Sequence, residues 1–177
     1  MLAPPGGGKG TQGARIAAEL GVEHISSGDL LRAAVAEGTP LGREVAEHMA
    51  QGDLVPDALV TAAVAPVLEA RSAGYVLDGF PRNLGQAEGL AFDAVVHLDV
   101  PDTVLTQRLL SRGRADDTEA VIGHRLREYA AETRPLIALY RDRGVLIEAD
   151  GDRPPDAIAT ELLRRLEHLG EAPRRET

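Results

Sequence analysis

The stretch Pro5-Gly6-Gly7-Gly8-Lys9-Gly10-Thr11 decides the reading of this chain, because a helical pattern begins directly behind it. Its glycines let successive backbone N–H groups converge on phosphate oxygens, and the amino terminus of the following helix adds positive potential. Lys9 can reach the outer phosphates, and Thr11 can set a hydroxyl near a magnesium ion. Of the 19 basic residues Lys9 is the single lysine, all others being arginine. A flexible Pro/Gly-rich terminus would not need a helix behind it. Taken alone, the motif implies binding of a nucleoside triphosphate and nothing more specific.

Outward from this loop, helical spacing runs from Gln12 to Leu20, with Ile16, Ala17 and Leu20 on one face and Gly21 as a stop. Val22–Ile25 predicts a short strand. Asp29–Glu37, Leu41–Gln51 and Asp57–Arg71 predict three successive helices, parted by Gly38-Thr39-Pro40 and by Gly52-Asp53 with Pro56. Gly74–Asp78 and Ala94–Asp99 are β-prone runs, each ending in an acid. Pro101 and Asp102 open a helix to Arg112, and a helical pattern from Thr118 to Tyr140 carries an expected break near Pro135. Val145–Ala149 predicts the last strand and Pro154–Leu169 the closing helix.

Short apolar strands that alternate with helices predict an α/β fold with a parallel sheet covered on both faces. The block from Ser26 to Arg71 holds only helices, so a small helical insertion at the carboxyl edge of the sheet is expected. At 177 residues, 44% hydrophobic and 27% charged, the chain has the composition of a globular domain. Aromatics make up only 3%, so Leu, Val, Ile and Ala must fill the interior. A net charge of −9 argues against a sequence-independent grip on nucleic acid, and any anionic ligand must then be held by a local basic cluster. The absence of cysteine excludes disulfides, thiolate metal sites and cysteine nucleophiles. No apolar run of about 18 residues and no signal-peptide pattern is found, so neither a membrane partner nor secretion is expected and a cytoplasmic location is.

Further motifs carry chemistry. Asp78, at the end of a buried strand, is placed to hold a magnesium shell through water, and Arg82 can reach a monophosphate. A strand followed by a turn would also explain Asp78-Gly79-Phe80-Pro81-Arg82, since Asp, Gly and Pro form turns. Arg32 follows Ser27-Gly28-Asp29, where Ser27 or Asp29 could cap the helix. Arg108 and Arg112 share one helical face, with Arg114 just past its end and Arg125 beyond. Any one of these arginines could be an ordinary surface residue. Their convergence with Lys9, Arg32 and Arg82 would suit phosphoryl transfer, which spreads negative charge that guanidinium forks stabilise.

Four segments in order resemble the adenylate kinase family: Gly6–Thr11, Ser27-Gly28-Asp29-Leu30-Leu31-Arg32, Asp78-Gly79-Phe80-Pro81-Arg82 and Leu98-Asp99-Val100-Pro101-Asp102. The likeness covers residues 3–169. The short stretch between Arg112 and Arg125, with no zinc-binding cysteines, resembles the short-lid bacterial form. The resemblance implies a P-loop NTPase-type parallel sheet flanked by helices, built from a core (1–25, 72–110 and 126–170), an NMP-binding insertion (26–71) and a short lid (111–125). It implies reversible transfer of a phosphoryl group from Mg-ATP to AMP, giving two ADP, with Mg²⁺ as cofactor and a monomer as the working unit.

The site residues follow from the same resemblance. Gly6, Gly7, Gly8, Lys9, Gly10 and Thr11 would bind ATP, with Arg108, Arg112 and the backbone at Arg153, and Thr11 and Asp78 would serve the metal. Ser27, Arg32, Asp53, Leu54, Val55, Gly79, Phe80, Pro81, Arg82 and Gln86 would bind AMP, Gln86 through a hydrogen bond to adenine. Lys9, Arg82, Arg112, Arg114 and Arg125 would act on the transferring phosphate, Arg114 and Arg125 coming from the lid and its hinge and also meeting AMP. Asp116 and Asp117 match acids that orient Arg114.

The chain departs from that pattern at its start. Only Met1 and Leu2 precede Ala3, where the family has a strand of five or six apolar residues ending in glycine, so a truncated first strand is expected. Ladder groups beside it would lose partners at roughly 1–3 kcal/mol each, and the Ala3 methyl would crowd the loop if φ there were positive. These departures raise the alternative of a weak or inactive adenine-nucleotide-binding paralogue. A kinase of another nucleoside monophosphate, UMP or CMP, is the other alternative, against which Gln86 argues for adenine.

Overall fold

Among the described residues all strand pairing is parallel, as short apolar runs joined by helices require. The computed structural model describes residues 1–70, 74–114 and 117–171. In it β1 (Glu23–Ser26) pairs with β2 (Tyr75–Asp78), and β3 (Val95–Asp99) pairs with β4 (Leu146–Asp150). The register sets Ser26 beside Asp78 and Asp99 beside Asp150 at the carboxyl ends. Met1 and Leu2 lie between the two pairs. The Leu2 N–H donates to the Val96 carbonyl at 2.7 Å, Leu98 N–H donates to the Leu2 carbonyl at 2.9 Å, and the Met1 nitrogen donates to the Leu77 carbonyl at 2.7 Å. Ladder groups of β2 and β3 expected to lack partners therefore have them at these three positions.

Alternation along β3 divides the interior. Val96 and Leu98 pack with Ala3, Ile16, Ile147, Ala149, Ile158 and Leu162, so α1 (Lys9–Leu20) and α9 (Pro155–Glu171) cover one face. Val95 faces the opposite way, into a cluster with Leu2, Ala87, Leu136 and Tyr140 under α8 (Pro135–Asp142). His97 shares that second face and is buried, with the Tyr129 hydroxyl 3.3 Å from its Nε2. Each fully buried Leu of these clusters contributes roughly 1.5–3 kcal/mol relative to exposure. The helical block α2 (Ser27–Ala36), α3 (Pro40–Gln51) and α4 (Asp57–Glu69) has its own core of Leu31, Val45, Val55, Val60 and Val64, continuous with Ile25 and Leu77 of the sheet.

Local chemistry explains the helix ends. Thr39 caps α3 through Gly42 N–H with Pro40 in the first turn, and Gly52 closes it at φ 83°. The cap of α2 is Ser26, whose hydroxyl accepts from Asp29 N–H, and not Ser27 or Asp29 as expected. A short helix α5 (Leu84–Ala87), capped by Asn83, was not expected. After α6 (Asp102–Arg112) the long pattern from Thr118 resolves into α7 (Glu119–Glu128), a π turn at Tyr129–Thr133 and then α8. Pro135 has no N–H to give to the turn before it and its ring crowds that turn, so the break falls just ahead of the proline.

Candidate active site

The phosphate loop meets the helix α1 at Gly8, whose φ of 90° turns the first N–H groups of the helix toward a cavity of about 480 Å³. Ala3, beneath the loop, is 3% exposed, and no non-glycine described residue has positive φ. Its methyl therefore does not strain the loop; it packs under Gly7. A Cβ at Gly7 would come within 2.8 Å of the Ala3 methyl and 2.9 Å of the Pro4 carbonyl. Gly7→Ala is accordingly expected to cost about 2–3 kcal/mol, read as a fall of 5–10 °C in Tm. Gly10→Ala is the control: its Cβ meets only Asp78 Oδ2, at 3.6 Å, and should melt with the parent. Equal Tm for both variants would contradict this packing.

Seven cations line the one cavity: Lys9, Arg32, Arg82, Arg108, Arg112, Arg114 and Arg125. They come from α1, α2, the turn after β2, α6, the segment behind it, and α7, so only the tertiary fold unites them. Lys9 Nζ donates to the carbonyls of Ala3 at 2.6 Å and Pro4 at 3.2 Å. Burial lowers its pKa to about 8, with Asp78 opposing and Arg82 and Arg112 reinforcing the shift. Burial also lowers the pKa of Arg82, again against Asp78 and with Arg125 and Arg32. For Arg114 burial acts together with repulsion from Arg32 and Arg112. Burial is the largest cause of all three shifts, and the neighbouring cations add to it.

Acids hold the cations in place. Asp117 accepts from Arg112 through Nε at 2.9 Å and a terminal nitrogen at 2.7 Å, from Arg125 at 3.3 Å and from the Arg114 N–H at 3.2 Å. Its side chain is only 1% exposed. Burial disfavours its ionised form, but the Arg112 bond and charge outweigh that and lower its pKa. Asp29 grips Arg32 at 2.5 Å, and Arg108 reaches the Gly151 carbonyl at 3.0 Å and Asp152 at 3.2 Å. Asp116 lies outside the described residues.

Asp78 is 7% exposed at the end of β2, with Gly10 in front of it. Burial opposes its charge, yet neighbouring His24, Lys9 and the amino-terminal ammonium lower its pKa. An ionised carboxylate lining the same cavity as the exposed Thr11 suits Mg²⁺, which binds through one or two carboxylates, waters and substrate phosphates. Among the described residues no group of three or more His, Asp or Glu could hold a metal ion by itself. The donor set thus fits a magnesium ion that arrives with a triphosphate.

Other residues singled out in the sequence take varied places. Gly6, Gly8, Gly10, Thr11, Asp53, Leu54, Val55, Gly79 and Pro81 line the cavity. Gly7, Ser27, Phe80, Gln86 and Arg153 do not. Ser27 is 1% exposed and its hydroxyl donates to the Gly79 carbonyl at 2.7 Å, while Phe80 is in the core of the helical block. The Gln86 amide accepts from Arg82 N–H at 2.7 Å and donates to Asp57 at 2.7 Å. The Arg153 guanidinium pairs with Glu161. Sequence reading missed Met49, Glu128, Tyr129 and Thr133 on the cavity wall. Thr133 Oγ1 donates to the Arg82 carbonyl at 2.6 Å from within the π turn, for which Pro135 was the one signal.

A glycine loop at a helix amino terminus, opening on a cavity ringed by cations, defines a nucleotide-binding phosphotransferase of the phosphate-loop class. The sequence profile of the family described as Adenylate kinase matches residues 1–145. "Adenylate kinase 1" of Synechocystis sp. (strain ATCC 27184 / PCC 6803 / Kazusa) is 46% identical over 173 residues, 92% of this chain and 92% of that one. "Adenylate kinase" of Synechococcus sp. (strain CC9311) is 51% identical over 163 residues, 85% of this chain and 89% of that one. "Adenylate kinase" of Synechococcus sp. (strain RCC307) is 47% identical over 175 residues, 94% and 96% respectively. The chain belongs to the adenylate kinase family.

Proposed function

We propose that this chain transfers the γ-phosphoryl group of Mg-ATP reversibly to AMP, giving two ADP, and that it works as a cytoplasmic monomer. The observation that carries the reading is the ring of seven cations around one cavity in a chain of net charge −9. Because all seven come from a single chain, no second copy is needed to complete the ring.

In this reading the loop Gly6–Thr11 holds the ATP phosphates through its N–H groups, with Lys9 leaving the Ala3 and Pro4 carbonyls for the outer phosphates. Arg108 and Arg112 neutralise the donor side, and the backbone at Arg153 meets the ATP base. Arg32 and Arg82 take the AMP phosphate, with Ser27, Gly79, Phe80 and Pro81 shaping its seat and Asp53, Leu54 and Val55 lining its base. Adenine recognition by Gln86 would exchange its Asp57 bond. Arg114 and Arg125 close on the transferring group from residues 111–125, the lid, while residues 26–71 form the acceptor insertion. Asp78, through water, and Thr11 would hold Mg²⁺, which when bound neutralises phosphate charge. The protein's own contribution is positioning and fixed positive charge, and no general base is required. Closure of the lid over both nucleotides excludes water, so ATP is not spent on hydrolysis.

A coupled assay with AMP, GMP, CMP and UMP tests the acceptor. Preference for AMP is expected, and preference for any other base would overturn the reading. A second test uses pH. Bound phosphates favour the charged form of Lys9, so binding above about pH 8 requires proton uptake and weakens as pH rises. The affinity of the unliganded protein for ATP should be level below pH 7.5 and fall toward tenfold per unit above 8, with a flat curve to pH 9.5 as the contrary result.

A further inference from the structure

The acceptor side of the cavity and the helix behind the lid are tied together by one short bond that no motif signals. Asp53 follows Gly52, the αL residue that ends α3. Its carboxylate lies 2.6 Å from His124 Nε2 on α7, each side chain about one-third exposed. This is the sole side-chain hydrogen bond made by residues 53–55 among the described residues. Two neighbouring contacts fix the same junction. A Cβ on Gly52 would come within 2.8 Å of Val121 Cγ1, so the loop runs hard against α7. Arg125, one residue beyond His124, reaches the Met49 carbonyl at 3.5 Å and Asp117 at 3.3 Å. Asp53, Leu54, Val55 and Arg125 line the cavity, whereas His124 does not.

We infer that His124 is a positioning residue for the acceptor nucleotide: its ring holds the Asp53–Val55 loop at a fixed distance from Arg125, so the base seat and the phosphate contact are spaced as one unit. The inference rests on the acceptor site proposed above. Holding the loop before the ligand arrives removes an ordering cost from AMP binding and none from ATP binding. Loss of a hydrogen bond to a charged group at this junction should appear as about tenfold in affinity.

Steady-state kinetics on the full chain tests this. His124→Ala should raise KM for AMP about tenfold and leave kcat and KM for ATP within twofold. His124→Gln, which keeps a donor at the same reach, should bring KM for AMP back to within threefold of the parent. Asp53→Ala should reproduce the rise, and Asp53→Ala with His124→Ala together should be no worse than either alone. An unchanged KM for AMP, an equal rise in both KM values, or additive losses would overturn the inference. Melting temperatures within about 2 °C show that the variants fold. Parent protein that transfers to AMP while the variants behave as the parent refutes the role of His124 alone. Parent protein that fails to use AMP refutes the acceptor site and this inference with it.

Discussion

Lys9→Met lowers kcat/KM for ATP by about a thousandfold or more without loss of Tm. Methionine matches the length and much of the volume of lysine but delivers no charge to the phosphates. A thousandfold loss corresponds to about 4 kcal/mol of transition-state stabilisation, the scale on which a removed preorganised charge is felt in a water-poor site. Stability moves the other way. Burial pushes the pKa of the ammonium down to about 8, with Asp78 opposing and Arg82 and Arg112 adding, so the folded state disfavours its charge when no nucleotide is bound. Removing it relieves that burial cost, which offsets the lost bond to the Ala3 carbonyl, while the Pro4 carbonyl keeps the Gly7 N–H. A rise or no change in Tm together with lost activity identifies Lys9 as a residue kept for function at a cost in stability. Near-parent activity would show that the loop backbone alone holds the phosphates.

Arg112→Lys is expected to lower kcat by two to three orders of magnitude while Tm changes by less than about 2 °C. Arginine meets both Asp117 oxygens with two of its nitrogens and still turns guanidinium edges to the cavity. A lysine ammonium is a point charge on a flexible stem and reproduces one contact at a time. Charge is preserved by the substitution, so the fall measures geometry rather than electrostatic sum. Arginines acting on a transferring phosphoryl group contribute about 10³–10⁵ in rate. A loss of less than fivefold would mean that Arg112 serves the field of the cavity in general and not the reacting group.

Much of this arrangement was readable along the chain because its signals are local. The glycines ahead of Lys9, the acids ending Asp78 and Asp99, and Pro40 and Pro101 at helix starts each act within a turn of their own position, and the observed elements begin or end beside them. The parallel fold followed from strand composition. What stayed hidden depends on distant partners. The choice of Ser26 over Ser27 as a cap follows from Ser27 turning inward to Gly79, 52 residues away. His124 and Asp53 are 71 residues apart, and Thr133 and Arg82 are 51 apart. Nothing in the spacing of either pair announces contact. The residue type at position 3 implies crowding of the loop only if φ there is positive, and the sequence shows neither that angle nor the neighbour it packs against. The glycine at position 7 makes room for that methyl, a relation visible only once the two are folded together.

The account turns on two nucleotides meeting inside one ring of positive charge, so that the phosphoryl group passes to AMP and not to water. ATP carrying a labelled γ-phosphoryl group, mixed with AMP, Mg²⁺ and the protein, tests this directly. The label should appear in ADP formed from AMP, one molecule for each ADP left from ATP, with negligible inorganic phosphate. Label released as inorganic phosphate, or retained wholly in ATP, would contradict it.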